Sequence, residues 1–499
     1  MEKNTERKMR ICALLPVIGA LCLAFCPSKA VAEDYTQGVI VINESQYGKS
    51  DSSINYLQPD LTDNYWSYSV FAKENPGKYF GATNCFGAYH DGKLFVISKE
   101  AIDPGAGGKG GIVTVLDAST LKLIAQVEQI DPSGARVDGR AFVGIDSRKG
   151  YVSTSNGIWV MNLDDYSILK QIAGTENPNG TDNLSTANPD CALYHGQCGM
   201  MVKSGTKVFA AHQSKGLLII DTASDEVVKT ISMDIVKPGA GIGSVVKAAD
   251  GSLWVSTTEN INGDGYNLSA IVRVDPMTYE TKVVNLPEDV YGPATSWGTW
   301  NPDTFCATGT SNCLVWTGAD MSWSANTLVY RYDIASGEVT NIVDLADDPD
   351  SEMWKIYYPS LRVNPADDTI YMSLFKDYVS KDYMVRTYTL DGTPGRDYPM
   401  RKGYWFPGQI LFPSSELSGV EEVMTAETSG NISVTLNSGN LVIMMPAGIG
   451  SERASIVDIT GRTVAMPVLS EGINNVSATG MNGIYLLVTK SGTVKFAVR

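Results

Sequence analysis

Short runs in which apolar and polar residues alternate recur along most of the chain, and each follows a turn that contains Gly, Asn or Asp. Such alternation after a turn indicates a β-strand with one buried face. These runs lie at residues 92–96, 150–153, 205–209, 251–255, 312–316 and 368–372. A second run follows each of them and ends at Asp117, Asn162, Asp221, Asp275, Asp333 and Asp391, respectively. Because these polar end residues recur every 45 to 59 positions, the chain contains an internal repeat.

The repeat predicts a β-propeller. Units of this length that contain strands and no amphipathic helices are typical of propeller blades, whereas leucine-rich or ankyrin arrays need shorter units and helices. A seventh unit begins with strands at 38–42 and 54–57, and a strand at 409–412 is placed to close the ring. Closure matters because an open ring would expose a sheet edge. The predicted fold is therefore all-β, with a seven-bladed propeller over residues 38–412.

A smaller unit follows the propeller. Residues 413–424 are a polar linker, and residues 425–499 contain alternating strands separated by turns at 437–440 and 460–461. This arrangement predicts a small antiparallel β-sandwich at the C-terminus.

The first 32 residues have the features of a secretory signal peptide. A basic segment precedes the apolar stretch 11–25, and Ala30-Val31-Ala32 is a cleavage site of small residues. Lipidation at Cys26 is the competing interpretation, but the bulky Phe25 precedes it where lipoprotein signals carry a small residue. No later stretch reaches the roughly 20 apolar residues of a membrane helix. We therefore expect an exported mature chain without a transmembrane span.

Charge and cysteine content limit the binding partners and the disulfide bonds that we expect. The net charge of −16 disfavours a nucleic-acid partner, because the field of the protein repels a phosphate backbone. Five cysteines follow the signal peptide, and two pairs of them share a seven-residue offset. In an oxidising compartment this spacing favours the disulfides Cys191–Cys198 and Cys306–Cys313, with Cys85 left over.

Catalytic and metal-binding signals are sparse. The segment 105–110 matches G-x-G-x-x-G but precedes a strand instead of a helix, so it is interpreted as a loop. A metal site is the alternative to the first disulfide, because His195 lies between its cysteines and His212 follows. No metal or other cofactor is assigned from the sequence. Carboxylates distant in sequence can still meet at a ring axis, and the candidates are Glu44, Asp138 and Glu259.

Aromatic residues concentrate between the predicted strands. Flat aromatic surfaces suit sugars, corrin rings or peptides through stacking and apolar contact. Propellers also bury aromatic rings between blades, so packing is the alternative role. The residues predicted to bind a ligand are Tyr65, Trp66, Tyr68, Trp297, Trp300, Trp323 and Trp405.

Two stretches of the propeller region carry a family resemblance. The first is the opening segment Val-Ile-Asn-Glu-Ser-Gln-Tyr-Gly at 41–48, together with Phe71 and Asn75. The second is the turn at 218–222 with the strand 227–231 that follows it. Over about residues 38–412 the chain resembles exported YncE-like propellers of the DUF5074 kind from Bacteroidetes. Some proteins of that wider group capture cobalamin for an outer-membrane transporter. The resemblance implies capture of a nutrient such as a corrinoid, and it assigns no ligand residue.

The C-terminal segment carries a second resemblance. It contains Ala-Ser-Ile-Val-Asp-Ile-Thr-Gly-Arg at 454–462, Gly-Ile-Tyr-Leu-Leu-Val at 483–488, and Lys-Phe-Ala-Val-Arg at the end. This is similar to a type A sorting domain of the type IX secretion system, and a plain β-sandwich module is the alternative. The residues that carry the resemblance are Gly461, Gly483, Tyr485, Lys495 and Arg499. The resemblance implies the type IX secretion machinery as a partner.

Together these features predict a ligand-binding propeller that is secreted or held at the cell surface. A nutrient is the leading ligand class. One alternative is a propeller lactonase or lyase that uses axial carboxylates and a divalent metal. Another alternative is an adhesion protein.

Overall fold

A computed structural model describes most of the chain after the predicted signal peptide. The described residues are 33–105, 107–182, 193–261, 267–293, 305–318, 327–346, 354–377, 379–417, 432–437, 440–446, 448, 450–458, 462–479, 481, 483–490 and 492–498. The predicted signal peptide, residues 1–32, lies outside these ranges. No helix among the described residues is long and apolar enough to cross a membrane.

Four-stranded antiparallel sheets follow one another through the repeat region. The first begins with β1 (Val39–Asn43), β2 (Ser53–Leu57) and β3 (Trp66–Ser67). The next three are β4 (Ala82–His90), β5 (Lys93–Glu100), β6 (Val113–Asp117) and β7 (Leu123–Val127); β8 (Gly139–Asp146), β9 (Lys149–Thr154), β10 (Gly157–Asn162) and β11 (Ile168–Gln171); and β12 (Cys198–Ser204), β13 (Lys207–His212), β14 (Gly216–Asp221) and β15 (Glu226–Ile231).

Three further sheets of the same kind complete the series. They are β16 (Gly241–Lys247), β17 (Leu253–Thr258), β18 (Asn267–Val274) and β19 (Thr281–Asn285); β20 (Phe305–Ala307), β21 (Cys313–Gly318), β22 (Leu328–Asp333) and β23 (Val339–Asp344); and β24 (Lys355–Val363), β25 (Ile370–Phe375), β26 (Tyr383–Tyr388) and β27 (Pro394–Pro399). Helical segments are short: a 3-10 turn at Tyr35–Gln37, α1 (Val70–Glu74) and a 3-10 turn at Met233–Ile235.

The first sheet combines strands from both ends of the region. The strand β28 (Pro407–Leu411) pairs antiparallel with β1 and gives this sheet the order β28-β1-β2-β3. The first strand of each sheet then contacts the first strand of the next, in the circle β28, β4, β8, β12, β16, β20, β24 and again β28. This closed circle of contacts is that of a β-propeller, and the strand predicted at 409–412 is the one that completes it.

The apolar core lies between neighbouring sheets. Phe95 of the second sheet stacks on Phe142 of the third with ring centroids 4.0 Å apart, and both belong to one buried cluster. Trp254 and Tyr332 make the equivalent contact between the fifth and sixth sheets, at 5.4 Å. Burying one large side chain of this kind contributes roughly 1.5–3 kcal/mol. Each sheet therefore depends on both of its neighbours.

The innermost strands are irregular at equivalent places. Their pairing with the second strand shifts register at Asn84/Phe86, Gly139/Ala141, Cys198/Met201, Ile242/Val245 and Ile356/Leu361. Hydroxyl groups satisfy the backbone there: Ser153 Oγ accepts from Ala141 N and donates to Gly199 O of the next sheet, at 3.0 and 2.7 Å. A bulge bends a strand and increases its twist, so these shifts fit the inner strands to the ring.

The polar residues that end the repeat units act as turn anchors. Asp221 accepts from the backbone N–H groups of Ala223 and Ser224 at 2.9 and 3.0 Å. Asp275 does the same with Met277 and Thr278, at 2.8 Å each. A carboxylate that bonds its own chain two and three residues on defines an Asx turn. The repeating acidic residues are thereby explained by local structure.

Asp368 has a different role and joins two sheets. Its carboxylate accepts from the backbone N–H groups of Gly309, Thr310 and Ser311 at 2.7, 2.9 and 2.6 Å. Burial raises the pKa of Asp368, but the hydrogen bonds from Thr310 and Ser311 outweigh it and hold the pKa below its ordinary value.

We expect Asp368→Asn to destabilise the protein by about 1–3 kcal/mol, because the amide replaces a charged acceptor of several N–H groups. Since the folded-state pKa is depressed, the stabilisation is present above the unfolded pKa and is lost as pH falls through the folded pKa. The difference between wild type and variant in urea denaturation should therefore shrink below about pH 4. Asp391→Asn, at an exposed turn, is the control, and an equal effect of both variants would contradict the assignment.

The disulfide predicted between Cys306 and Cys313 is wrong. Both residues are thiols, as are Cys85 and Cys198. Cys306 lies opposite Val315 in the pairing of β20 with β21, which places Cys313 diagonally across the two strands. Diagonal neighbours are roughly 7–8 Å apart, too far for a disulfide without backbone movement. Cys191 lies outside the described residues, so its predicted partner Cys198 is seen only as a buried thiol.

The propeller ends in a helix. Residues 413–417, the start of the predicted linker, form α2 (Pro413–Leu417). Glu416 Oε1 accepts from the backbone N–H of Phe412 at 2.7 Å, and Ser415 Oγ donates to Asn364 Oδ1 at 3.1 Å. The helix thus continues the packing of the ring by one turn past β28.

The C-terminal segment contains further antiparallel sheets. Their strands are β29 (Ser433–Asn437), β30 (Asn440–Met445), β31 (Glu452–Arg453), β32 (Ser455–Asp458), β33 (Thr463–Ala465), β34 (Val468–Leu469), β35 (Gly472–Ser477), β36 (Gly483–Thr489) and β37 (Gly492–Val498). The sheets have the orders β29-β30-β35, β33-β32-β36-β37 and β31-β34. One apolar cluster contains Leu441 and Ile443 from the first sheet together with Ile456 and Leu487 from the second.

Candidate functional site

The candidate site lies on the face of the ring that we call the upper face. This face carries the connections that follow the second and fourth strands of each sheet, because antiparallel neighbours place those ends on one side. Glu44 follows β1, Lys99 and Glu100 end β5, and Arg136 and Asp138 precede β8. The topology therefore brings charged residues from three consecutive sheets to the same face.

Ion pairs link these residues. Arg136 contacts Glu100 Oε1 at 3.0 Å and Asp138 Oδ1 at 3.1 Å, and Lys99 Nζ lies 3.8 Å from Glu100 Oε1. Asp138 is fully buried and Lys99 is 8% exposed. Burial lowers the pKa of Lys99, and the Asp138 carboxylate opposes that shift. A buried ammonium beside a buried carboxylate is held in place by this attraction.

Arg140 forms the base of the site. Its guanidinium donates to Gln197 Oε1 at 2.5 Å, to Gly139 O at 2.8 Å and to Leu193 O at 2.9 Å. The residue is 2% exposed. Burial lowers the pKa of Arg140, and attraction to Asp138 opposes the shift. Arg140 thereby fixes the start of β8 against the segment that leads into β12.

Glu44 supplies a group that can hold a proton at neutral pH. Burial raises its pKa to about 8, while a hydrogen bond from Tyr357 and attraction to Lys99 oppose the shift. Tyr357 Oη donates to Glu44 Oε2 at 3.3 Å, and the backbone N–H of Glu44 donates to Phe406 O at 2.9 Å. The protonated carboxyl can both donate and accept a hydrogen bond.

Two polar atoms of this site lack a hydrogen-bond partner among the described residues: Asp138 Oδ2 and Asn84 Nδ2, one acceptor and one donor. Leaving such a buried group unpaired costs about 1–3 kcal/mol. A cleft of about 240 Å³ opens beside Asp138, which lines it together with Glu100, Ile130 and Arg136 among others. Buried groups with unused hydrogen-bonding capacity next to a cleft are suited to binding a polar ligand.

The family of the chain is shown by a model that spans most of it. The model described as "Domain of unknown function (DUF5074)" matches residues 37–413. The chain belongs to the DUF5074 family. The matched region is the closed ring of sheets, and it ends at the first residue of α2.

Several solved structures align with this DUF5074 chain, and the first of them has a TM-score above 0.5. A quinonprotein alcohol dehydrogenase-like protein from Bacteroides thetaiotaomicron aligns with a TM-score of 0.51 and 16% identity, over 76% of this chain and 79% of that one. PorZ, described as a surface component of the type-IX secretion system of Porphyromonas gingivalis, aligns at 0.43 and 13%, over 90% and 63%. BamB from Moraxella catarrhalis aligns at 0.38 and 10%, over 82% and 95%. The comparison with curated proteins gives no match.

Two of the three axial carboxylate candidates lie in the charged site of this DUF5074 propeller. Glu44 and Asp138 both act electrostatically on Lys99. Glu259 is elsewhere, in an ion pair with Lys237. Within the described ranges no group of three or more His, Cys, Asp or Glu side chains could hold a metal ion. His212, from the metal alternative, is buried and its Nε2 lies 3.3 Å from Glu176 O.

The structure brings together four of the aromatic residues that were predicted to bind a ligand. Trp66 stacks on Tyr68 at 5.9 Å, Tyr68 stacks on Trp405 at 5.2 Å, and Tyr65 lies 6.4 Å from Trp66. The Trp66 indole donates to Pro399 O at 3.1 Å. The column therefore packs the first sheet against the last. Trp297, Trp300 and Trp323 lie outside the described residues.

Sequence reasoning missed the basic half of the charged site. Lys99 lies near the end of the buried apolar strand β5, and Arg140 lies near the start of the buried apolar strand β8. A charged residue at the end of an apolar run is a usable signal, because Lys and Arg are seldom fully buried unless paired. The partners come from other sheets, however, and the sequence alone does not give them.

Proposed function

We propose that this DUF5074 protein is an exported, surface-displayed propeller of seven blades that binds a nutrient ligand at its upper face. The observation that carries the proposal is the charged site around Lys99, in which the buried Asp138 lines an open cleft and its Oδ2 has no hydrogen-bond partner among the described residues. The sequence resemblance suggests a corrinoid as the ligand class. An outer-membrane transporter is the receiving partner in this proposal.

The aromatic residues have a supporting role in the same proposal. Four rings pack against one another and cover much of each other's surface: Tyr65, Trp66, Tyr68 and Trp405. Tyr68 is only partly buried and follows β3 on the upper face, at the junction of the first and last sheets, where a planar ligand can gain apolar contact.

Export and sorting complete the proposal. Residues 1–32 act as the signal peptide, and residues 425–499 act as a β-sandwich sorting domain recognised by the type IX secretion machinery. Gly483 and Tyr485 lie on β36 and Lys495 on β37. Tyr485 stacks on Phe496 at 5.8 Å in the core, which gives it a packing role as well. Gly461 and Arg499 lie outside the described residues.

Lys99→Met tests the ligand site. Titration of the purified mature chain with cyanocobalamin, followed by calorimetry, should show binding to the wild type and at least about tenfold weaker binding to the variant, because a hydrogen bond to a charged group contributes about 1.5–3 kcal/mol. Lys122→Met is the matched control, since Lys122 is exposed and contacts Glu74. Equal affinity of both variants would contradict the site, whereas no binding to the wild type would contradict the corrinoid class.

A further inference from the structure

A second surface of the upper face combines cations with aromatic rings. Lys49 in the β1–β2 connection and Lys381 in the β25–β26 connection both lie over the ring of Tyr404, with Nζ 5.9 and 4.1 Å from its centroid. Arg401 lies over Tyr68 at 4.3 Å. We call Lys49, Lys381, Arg401 and Tyr404 the basic patch.

The cations of the basic patch have no carboxylate in ion-pair contact within the described part of the chain. The neighbouring Asp382 pairs instead with Lys402, at 3.2 Å. Two ammonium groups that share one ring repel each other, and a protein of net charge −16 has many carboxylates that could have paired with them. An anion from outside the chain would relieve this repulsion.

The connection that carries Arg401 and Tyr404 is held in shape before any ligand arrives. The backbone N–H of Arg401 donates to Tyr68 Oη at 2.8 Å, and Trp405 Nε1 donates to Arg401 O at 2.7 Å. Arg401 also lies over the Trp405 ring at 5.3 Å. Little conformational entropy is then lost when a ligand binds here.

The openness of the basic patch favours an extended anion. Lys49 and Arg401 are exposed and Tyr404 is half-buried, so the patch is an open surface on which an extended chain can lie. A nucleic acid, with one charge per about 1.7 Å, would be repelled by the rest of this acidic protein. An acidic polysaccharide has more widely spaced charges, so the rest of the protein repels it less.

We propose that the basic patch binds an acidic polysaccharide, with Lys49, Lys381 and Arg401 contacting its carboxylate or sulfate groups and the Tyr404 ring positioning the two lysines. This interaction is separate from the ligand site at Lys99. It would hold the exported protein against a glycan-covered surface.

The test uses the mature full-length chain and polygalacturonate, with neutral dextran as the uncharged control. Wild type should bind polygalacturonate and not dextran. K49Q/K381Q should bind at least tenfold more weakly, and log K should depend less steeply on log salt concentration, because two cations no longer contact the polyanion. Arg401 is left unchanged because its backbone helps to hold the ring junction.

The matched control is K122Q/K282Q, which removes the same charge from two other exposed positions. Unchanged thermal unfolding of K49Q/K381Q would show that its loss of binding is not a folding defect, and Lys99→Met should keep full glycan binding. The proposal is overturned if K49Q/K381Q binds polygalacturonate as wild type does. Binding to anionic phospholipid vesicles or duplex DNA without binding to polygalacturonate would overturn it as well.

Discussion

Replacement of Arg140 by methionine is expected to lower the free energy of unfolding by about 3–5 kcal/mol, the usual effect of removing one partner of a buried ionic group. The variant leaves Gln197 Oε1 and Leu193 O without their donor and takes a cation away from Asp138. Urea denaturation followed by near-ultraviolet circular dichroism measures the change.

Arg148→Met is the matched control for this prediction. Arg148 is 77% exposed and pairs with a half-exposed Asp164 at 3.0 Å, so its loss should change stability by less than about 1 kcal/mol. Adding Asp138→Asn to the Arg140 variant should recover part of the loss, because it removes a buried carboxylate that has lost one of its neighbouring cations. Additive losses in the double variant would show that the two side chains are not coupled.

A chain that ends at Tyr404 is expected not to fold, whereas a chain that ends at Ser418 should keep a stable propeller. The shorter chain lacks β28, whose Ile410 and Leu411 are buried and pair with Val41 and Ile40. It also lacks Gln409, which bonds both backbone groups of Gly87 at 2.5 and 3.2 Å. Losing the innermost strand of one sheet removes more than the 5–15 kcal/mol that stabilises a typical domain.

Resistance to limited proteolysis separates the two truncated chains. The chain ending at Ser418 keeps α2 and its contacts to Phe412 and Asn364. In the native host it should accumulate in the periplasm, because it lacks the proposed sorting domain. Its appearance at the cell surface would contradict the sorting proposal, and equal protease resistance of both chains would contradict the role of β28.

The repeat could be predicted from sequence because its signals are local. An Asp that bonds the next turn, as Asp221 does, requires only its own neighbours, so the ends of the repeat units appear in the sequence. The disulfide prediction failed for the opposite reason. A seven-residue offset does not determine strand register, and register is what separates Cys306 from Cys313.

The candidate site could be predicted only in part from the sequence, for a related reason. Trp66 and Trp405 come from opposite ends of the propeller and meet because β28 completes the first sheet. The grouping of Lys99 with Asp138 and Glu44 likewise depends on which strand ends the ring places side by side. Residue types were predictable at several of these positions, but their neighbours depend on long-range contacts.

The late position of β28 in the chain also has a kinetic consequence. Its pairing with β1 closes a loop of about 370 residues, for which the entropy cost grows to about 5 kcal/mol. Contacts of such long range slow folding. The first sheet cannot be completed until residue 411 is available, so a growing chain stays without its final ring for most of its synthesis. For the export that we propose, slow closure of this kind would keep the chain unfolded while it passes through a membrane channel.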